Sequence, residues 1–366
     1  MRVLLAGGGT AGHINPAIAI ADKIRQNNPD AEILFAGTSR GMESRLIPKA
    51  GYNFTPINVR GFQRQLSFRN IKNNVLAVGC LVSSRFRAKK IIRDFKPDLV
   101  IGTGGYVSGP IVLTAADMGI KTAIHEQNAY AGVTTKLLSK KVDVALLAFE
   151  EAAKYLDKNC KYKVVGNPVR EDIIYKNRKT SREKLGVGNR ICVLSFGGSL
   201  GAQKVNDAVS YLISENAKDN NFFHIHATGA IGYEDFMKSL KINPKEYSNL
   251  DIRQYIDDMP DCMAAADIVI SRAGAITLSE IQATGKPAIL IPSPNVAENH
   301  QFHNAMVLKN NDAAEIIEEK DLSGEKLLKT VKSFDLNRLK TLGQNASKMA
   351  IIDCADRIYN EIKSLF

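Results

Sequence analysis

The run Gly7-Gly8-Gly9-Thr10-Ala11-Gly12-His13 puts an imidazole at the mouth of a glycine-rich turn. Val3-Leu4-Leu5-Ala6 precedes it, and apolar residues at 14, 17, 18, 20, 21 and 24 follow at helical spacing. A turn between a strand and a helix leaves the first helical N–H groups without intrahelical partners, carrying partial positive charge. Glycine lets a ligand approach that backbone closely. The letters Gly7-x-Gly9-x-x-Gly12 also fit a dinucleotide fingerprint, which wants an acid at the end of the second strand to bind a ribose. The second strand reads Glu32-Ile33-Leu34-Phe35-Ala36-Gly37, and its acid stands at the start, the wrong end of the sheet. Nicotinamide binding is therefore disfavoured here. The plain alternative is a tight turn with no ligand.

Further clusters have the same look. Gly102 to Pro110 is a second glycine turn that opens a helix. His125-Glu126-Gln127-Asn128 follows the strand Thr122-Ala123-Ile124; polar side chains at a strand end suit a site, with helix capping by Asn128 as the alternative. In the second half, Ile191 to Phe196, then Gly197-Gly198-Ser199-Leu200-Gly201-Ala202, then Val205 to Ile213 repeat the opening strand, turn and helix. Ser271 to Ile281 holds another turn, with Ala275–Ala283 helical. Its free N–H groups and the Thr277 hydroxyl suit a diphosphate, and Glu280, one turn on, could accept both hydroxyls of a ribose. A helix dipole that favours an acid near the N-terminus is the other account of Glu280. Glu298-Asn299-His300-Gln301, with Asn304, closes the set after the strand Ala288 to Pro292.

The elements that must position these residues alternate between strand and helix. Leu99–Gly102, Val144–Leu147, His224–Thr228 and Ile268–Ile270 are further short apolar strands, and His224 and His226 read as structural. Such alternation predicts an α/β chain of parallel sheets with helices on both faces, and ligands beyond the carboxyl ends of the strands. The charged run from Arg170 to Lys184 lacks a core pattern and suits a linker. Two nucleotide-type domains are expected, 1–165 and 166–346, their strand ends facing a cleft, with a last helix over 347–366.

Composition narrows the partners. No stretch reaches the length of a membrane span, and Met1 to Leu5 is too short for a signal peptide. Cys80, Cys160, Cys192, Cys262 and Cys354 are scattered and read as buried thiols in a reducing cytosol, not as disulfides or zinc ligands. Residues 1–165 hold 24 Lys and Arg against 12 Asp and Glu, whereas 166–366 hold 25 against 26. The first half should therefore meet an anionic partner. Between Arg60 and Lys96, cations edge an apolar stripe of Ile71, Val75, Val78, Val82 and Phe86, a pattern that sits on anionic lipid without spanning it. No module that reads nucleic acid is recognisable, so no nucleic acid is expected.

Taken together, Gly8-Gly9-Thr10-Ala11-Gly12-His13, Gly104-Gly105-Tyr106-Val107-Ser108, His125-Glu126-Gln127-Asn128, Gly197 to Ala202 and Ser271 to Glu280 resemble the MurG family along essentially the whole chain. These are the peptidoglycan N-acetylglucosaminyltransferases that act on undecaprenyl-linked muramyl pentapeptide. The resemblance implies a two-domain GT-B glycosyltransferase. Its second domain would bind UDP-N-acetylglucosamine. Its first would meet lipid I and the cytoplasmic face of the cell membrane peripherally, and the last helix would return to it. It implies that the Ile256 backbone reads uracil, that Glu280 holds ribose, and that Ser199 with Ala275, Ile276 and Thr277 meets the diphosphate. Gln301 and Asn128 would touch the N-acetylglucosamine, Thr10, Ala11 and Gly12 would lie near the reacting centre, and Arg170 would be a donor-side arginine. The family's Gln-Gln pair reads His300-Gln301 here.

The chemistry expected is one inverting displacement at the anomeric carbon, with His13 as the base that takes the proton of the muramyl 4-hydroxyl. A helix N-terminus disfavours imidazolium, which suits that role. The chain has no Asp-x-Asp triplet, which fits a mechanism with no metal and no cofactor; Asp257-Asp258 lies in the nucleobase loop. Rival readings are a glycolipid transferase with another acceptor, a UDP-N-acetylglucosamine 2-epimerase, and a nucleotide-binding regulatory protein.

Overall fold

The computed structural model describes residues 1–59 and 83–366. The described chain divides into two compact units: Met1–Pro168 with Asp353–Phe366, and Val169–Ile352. Each is a parallel sheet flanked by helices.

Unit 1 carries β1 (Arg2–Gly7), α1 (Ala11–Asn27), β2 (Glu32–Gly37), α2 (Glu43–Lys49), β3 (Asn53–Pro56), α3 (residues 83–95), β4 (Leu99–Gly104), α4 (Ser108–Asp117), β5 (Lys121–Glu126), α5 (Val133–Leu138), β6 (Val144–Leu147) and β7 (Tyr162–Val164). The sheet order is β3-β2-β1-β4-β5-β6-β7, every pairing parallel. Strands covered on both faces must be apolar throughout, and Val3 to Ala6 and Leu99 to Ile101 are fully buried. The order reverses between β1 and β4. The loops after those strands run apart there and leave room for a ligand.

Unit 2 carries α6 (Glu171–Ile174), α7 (Arg178–Lys184), β8 (Ile191–Phe196), α8 (Gln203–Asn216), β9 (Phe222–Ala227), α9 (Tyr233–Ser239), β10 (Leu250–Arg253), α10 (Met259–Ala265), β11 (Ile268–Ser271), α11 (Ala275–Thr284), β12 (Ala288–Leu290), α12 (His300–Asn310), β13 (Glu315–Ile316), α13 (Gly324–Lys332) and α14 (Leu336–Lys348). Its order, β10-β9-β8-β11-β12-β13, is again parallel, and reverses between β8 and β11. Val193, Val209, Leu212, Ile270 and Ile289 form part of its core.

The structure departs from the sequence reading in several places. The run 170–184 is not a bare linker. It forms α6, which buries Ile173, and α7, which is held largely by polar and charged contacts. Ser181 and Lys184 bond the buried Asp261 carboxylate at 2.8 and 2.6 Å, while Arg178 and Arg182 donate to carbonyls at the end of α10 and to Asp267. The unit boundary falls after Pro168, not after 165. His125 Nε2 bonds the Gly166 carbonyl (2.9 Å) and Asn167 Nδ2 donates to the Gln127 carbonyl (3.1 Å), tying both residues to unit 1. The terminal helix over 347–366 is two helices. The chain breaks after Lys348 and restarts as α15 (Cys354–Lys363), which packs on α1 in unit 1 with a Lys23–Asp356 ion pair of 2.5 Å. Arg60, Arg64, Arg69, Lys72 and the stripe from Ile71 to Val82 lie outside the described residues, as does Cys80. Among the described residues no helix is long and apolar enough to cross a membrane.

Candidate active site

The first turn joins β1 to α1. Thr10 is the N-cap, in extended backbone with no side-chain cap bond, and His13 lies in the first turn of the helix. Thr10 and Gly12 are exposed; Ala11 and His13 are half-buried. Three contacts fix the imidazole. Its Nδ1 lies 3.1 Å from the Gly8 carbonyl oxygen and 3.3 Å from Thr10 Oγ1. Its ring lies against Gly104, where a Cβ would sit 2.6 Å from Cδ2. A carbonyl oxygen only accepts, so in the neutral ring Nδ1 carries the proton and Nε2 keeps the lone pair. Thr103 Oγ1 anchors the same residue by donating to the His13 carbonyl at 2.8 Å.

The second glycine turn closes on the first. Gly105 has φ +76°, and a Cβ there would stand 2.3 Å from the Gly8 oxygen, so only glycine fits. Ser108 Oγ sits between the two strand ends, donating to the Ala6 carbonyl (2.6 Å) and accepting from Gly104 N–H (3.0 Å).

His125-Glu126-Gln127-Asn128 is not four site residues. His125 and Glu126 belong to β5, and both are buried with Gln127. Gln127 Nε2 bonds His125 Nδ1 (2.9 Å) and the Thr103 carbonyl (3.0 Å). Burial lowers the pKa of His125, which keeps it neutral. Glu126 accepts from Asn128 N–H and Nδ2, both at 3.1 Å, from Gly132 N–H at 3.0 Å, and from Thr135 Oγ1 at 2.6 Å. Glu126 therefore shapes the loop that carries the half-buried Asn128. Asn128 does not cap α5; Gly132 is that N-cap.

In unit 2 the turn after β8 and the turn after β11 open into one cavity of about 530 Å³. Phe196, Gly197, Gly201, Ala202, Gln203 and Lys204 line it from the first turn, and Arg272, Gly274 and Thr277 from the second. Neither α8 nor α11 has a side-chain cap, so first-turn N–H groups such as those of Gln203, Lys204, Ile276 and Thr277 have no intrahelical acceptor. Two helix N-termini at one cavity make a site for an anion. The turn is locked by close approach: Gly201 has φ +85°, and a Cβ there would stand 2.2 Å from the Thr228 oxygen.

Gln301 also lines this cavity. Its Oε1 accepts from Ser293 N–H at 2.9 Å, so the amide presents its NH₂ as donor. Arg272, with Glu319, supports the wall: it donates to the Ile291 and Pro292 carbonyls (3.2 and 3.3 Å) and forms an ion pair with Glu319. Glu280 is half-buried on α11. Burial pushes its pKa up, the Arg170 charge pulls it back, Asp172 adds to the rise, and the result is about 7. Arg170 itself is the N-cap of α6 and pairs with Asp172 at 3.5 Å. Ile256 is buried in the loop after β10. Ser199 is exposed on the β8–α8 turn and is not among the cavity-lining residues. His300 starts α12, with Nδ1 2.8 Å from the Ala297 carbonyl.

Glu43 was not singled out by the sequence reading. It is fully buried beneath the first glycine turn and accepts from Gly9 N–H (3.1 Å), Thr38 N–H (2.9 Å) and Thr38 Oγ1 (2.6 Å). The signal available was an acid at a helix start just beyond β2. Arg272 and Glu319 were also unassigned as a pair, because nothing local links residues so far apart in sequence.

The sequence pattern of the glycosyltransferase family 28 N-terminal domain matches residues 3–147, and that of the C-terminal domain matches 192–358. With two Rossmann-like parallel sheets and a glycine turn at each switch point, the chain is a GT-B glycosyltransferase. It is 46% identical to the UDP-N-acetylglucosamine–N-acetylmuramyl-(pentapeptide) pyrophosphoryl-undecaprenol N-acetylglucosamine transferase of Acetivibrio thermocellus, covering 100% of this chain and 98% of that one. It is 44% identical to the same-named enzyme of Thermoanaerobacter sp. (strain X514), covering 100% of both. The crystal structure of Acinetobacter baumannii MurG superposes with a TM-score of 0.81 at 28% identity over 99% of each chain. The chain belongs to glycosyltransferase family 28 and, within it, to these N-acetylglucosamine transferases.

Proposed function

We infer that the protein transfers N-acetylglucosamine from UDP-N-acetylglucosamine to the 4-hydroxyl of undecaprenyl-pyrophosphoryl-N-acetylmuramyl-pentapeptide, converting lipid I to lipid II in peptidoglycan synthesis. The observation that carries the donor side is the unit 2 cavity with the uncapped amino ends of α8 and α11. Their N–H groups and the Thr277 hydroxyl meet the diphosphate and stabilise the charge on departing UDP. Ala275 and Ile276 contribute backbone, Ser199 joins from the neighbouring turn, and Arg170 lends positive charge. Ionised Glu280 accepts the ribose hydroxyls, the Ile256 backbone reads uracil, and the Gln301 NH₂ and Asn128 contact the sugar.

On the acceptor side, His13 Nε2 removes the hydroxyl proton as the oxygen attacks the anomeric carbon from the face opposite UDP. The carbon–oxygen bond to the acceptor forms, the bond to UDP breaks, and the configuration inverts. Thr10, Ala11 and Gly12 border the reacting centre. This charge balance requires no metal ion and no cofactor. The cations Arg85, Arg87, Lys89, Lys90 and Arg93 in and around α3, beside the exposed Phe86, suit peripheral contact with an anionic membrane surface on the cytoplasmic side, where lipid I is held.

The test is radiolabelled UDP-N-acetylglucosamine with a short-chain lipid I analogue, with and without EDTA. Label transfer that survives chelation is expected. No transfer, or formation of UDP-N-acetylmannosamine instead, would overturn the reading.

A further inference from the structure

The Gly8–Gly9 peptide is hydrogen-bonded at both ends. Its carbonyl oxygen accepts from His13 Nδ1 at 3.1 Å, and its N–H donates to Glu43 Oε2 at 3.1 Å. One planar, conjugated amide therefore connects a carboxylate to the imidazole. We propose that Glu43 is a positioning residue for the transfer reaction, which sets the orientation and proton affinity of His13 through the Gly8–Gly9 peptide. The proposal rests on the reading of His13 as the base.

The effect of Glu43 has two parts. A carboxylate that accepts from an amide N–H pushes electron density onto the carbonyl oxygen of the same amide, and bonds in series strengthen one another by roughly 10–30% each. A more negative Gly8 oxygen holds Nδ1–H more firmly and stabilises the imidazolium that forms when Nε2 takes a proton. This is the task of the buried acid in a catalytic triad, carried out here at one remove. The second part is room. Carboxylate atoms of Glu43 lie 2.7 Å from where a Cβ on Gly8 would be and 2.3 Å from one on Gly41, so the glycines make space for the acid beneath the turn.

The acid is built to be charged. Burial alone would raise its pKa, but hydrogen bonds from the Thr38 side chain, from backbone N–H groups including Gly9, and from the Thr38 N–H outweigh that and hold it below the ordinary value. Among the described residues no cation forms an ion pair with Glu43, and the groups facing the His13 ring are Thr10 Oγ1, the Gly8 carbonyl and Gly104 from the β4 end. Among the described residues, no hydrogen bond brings another carboxylate to the ring.

Glu43→Gln keeps the shape and removes the charge. In the full-length enzyme it should lower kcat/KM about tenfold, equivalent to about 1.4 kcal/mol of transition-state stabilisation. It should also move the acid limb of the pH–rate profile, and the His13 ring titration read by NMR, to lower pH. Thr38→Val should move both the other way, because Oε1 no longer shares its charge with a hydroxyl. Opposed shifts are not what a purely structural brace would give. His13→Gln assigns the ring signal among the 6 histidines and tests the base role separately. Loss of turnover in His13→Gln together with an unmoved His13 titration in Glu43→Gln would overturn the relay and leave the base. Full turnover in His13→Gln would remove the base reading, whatever Glu43 does. If Glu43→Gln does not fold, an unmoved or lowered titration in Thr38→Val decides against the relay.

Discussion

The glycine turns after β1 and after β8 share a plan and differ in what fills them. Each follows the first strand of a parallel sheet, stands where the strand order reverses, and opens an uncapped helix. In unit 1 the chain's own Glu43 takes the Gly9 N–H, and the neighbouring carbonyl of Gly8 holds an imidazole. In unit 2 the turn opens into a cavity shared with a second uncapped helix, α11. A carboxylate under a turn discourages a phosphate over it, by like-charge repulsion. On the proposed function, the same backbone device serves as a mount for the base in one unit and as a cradle for the diphosphate in the other. The difference is one side chain from a helix that begins just after β2.

This contrast can be broken at several points. His13→Ala should cut turnover by roughly 10²–10⁴-fold, the range for a lost general base, while UDP-N-acetylglucosamine binding by calorimetry stays unchanged; weakened donor binding would erase the division of labour. Gly201→Ala combines φ +85° with a Cβ 2.2 Å from the Thr228 oxygen, so it should cost about 1–3 kcal/mol of unit 2 stability in a denaturant titration and abolish donor binding. Intact donor binding there would show that the turn does not form the cradle. Thr277→Val removes the hydroxyl proposed to face the diphosphate and should weaken UDP by about 1.5–3 kcal/mol, that is roughly 10–150-fold, with His13 titration unaffected.

The smallest effect concerns pH. Glu280 has a pKa near 7, so below that pH it is largely protonated and, as the proposed ribose acceptor, should bind the hydroxyls poorly. The KM for UDP-N-acetylglucosamine should rise as pH falls through 7, and Glu280→Gln should flatten that rise. The stability sign is opposite. The folded state binds this proton more tightly than the unfolded chain, so Glu280 costs stability as pH rises through 7. Glu280→Gln should therefore raise the thermal midpoint at pH 8 more than at pH 5. A midpoint that moves equally at both would contradict the raised pKa.

Much of the fold was legible because central strands of a parallel sheet are buried on both faces and read as apolar runs. β2, β6 and β8 have the bounds expected for them. The strands that were missed, β3, β10 and β13, lie at sheet edges or are short, and their residues are half-exposed, so they give no run to read. The helix α7 gives no apolar stripe to read because polar and charged contacts hold it, and α6 is a single turn that buries only Ile173. In the site, Gly and His spacing exposed both turns, yet His125-Glu126-Gln127-Asn128 was over-read. A polar run looks the same in sequence whether it faces a ligand or, like His125 and Gln127, satisfies buried carbonyls.

The sequence by itself determined two strand–turn–helix repeats, their glycines, and the positions of His13, Thr277 and Glu280, because turn chemistry and periodicity are local. Only the tertiary structure decided which turn stays open. That depended on Glu43 meeting Gly9 across 34 positions, and on α8 and α11 bringing their amino ends to one cavity. Contacts between distant residues are set by how strands are ordered in the sheet, and no local pattern encodes that order.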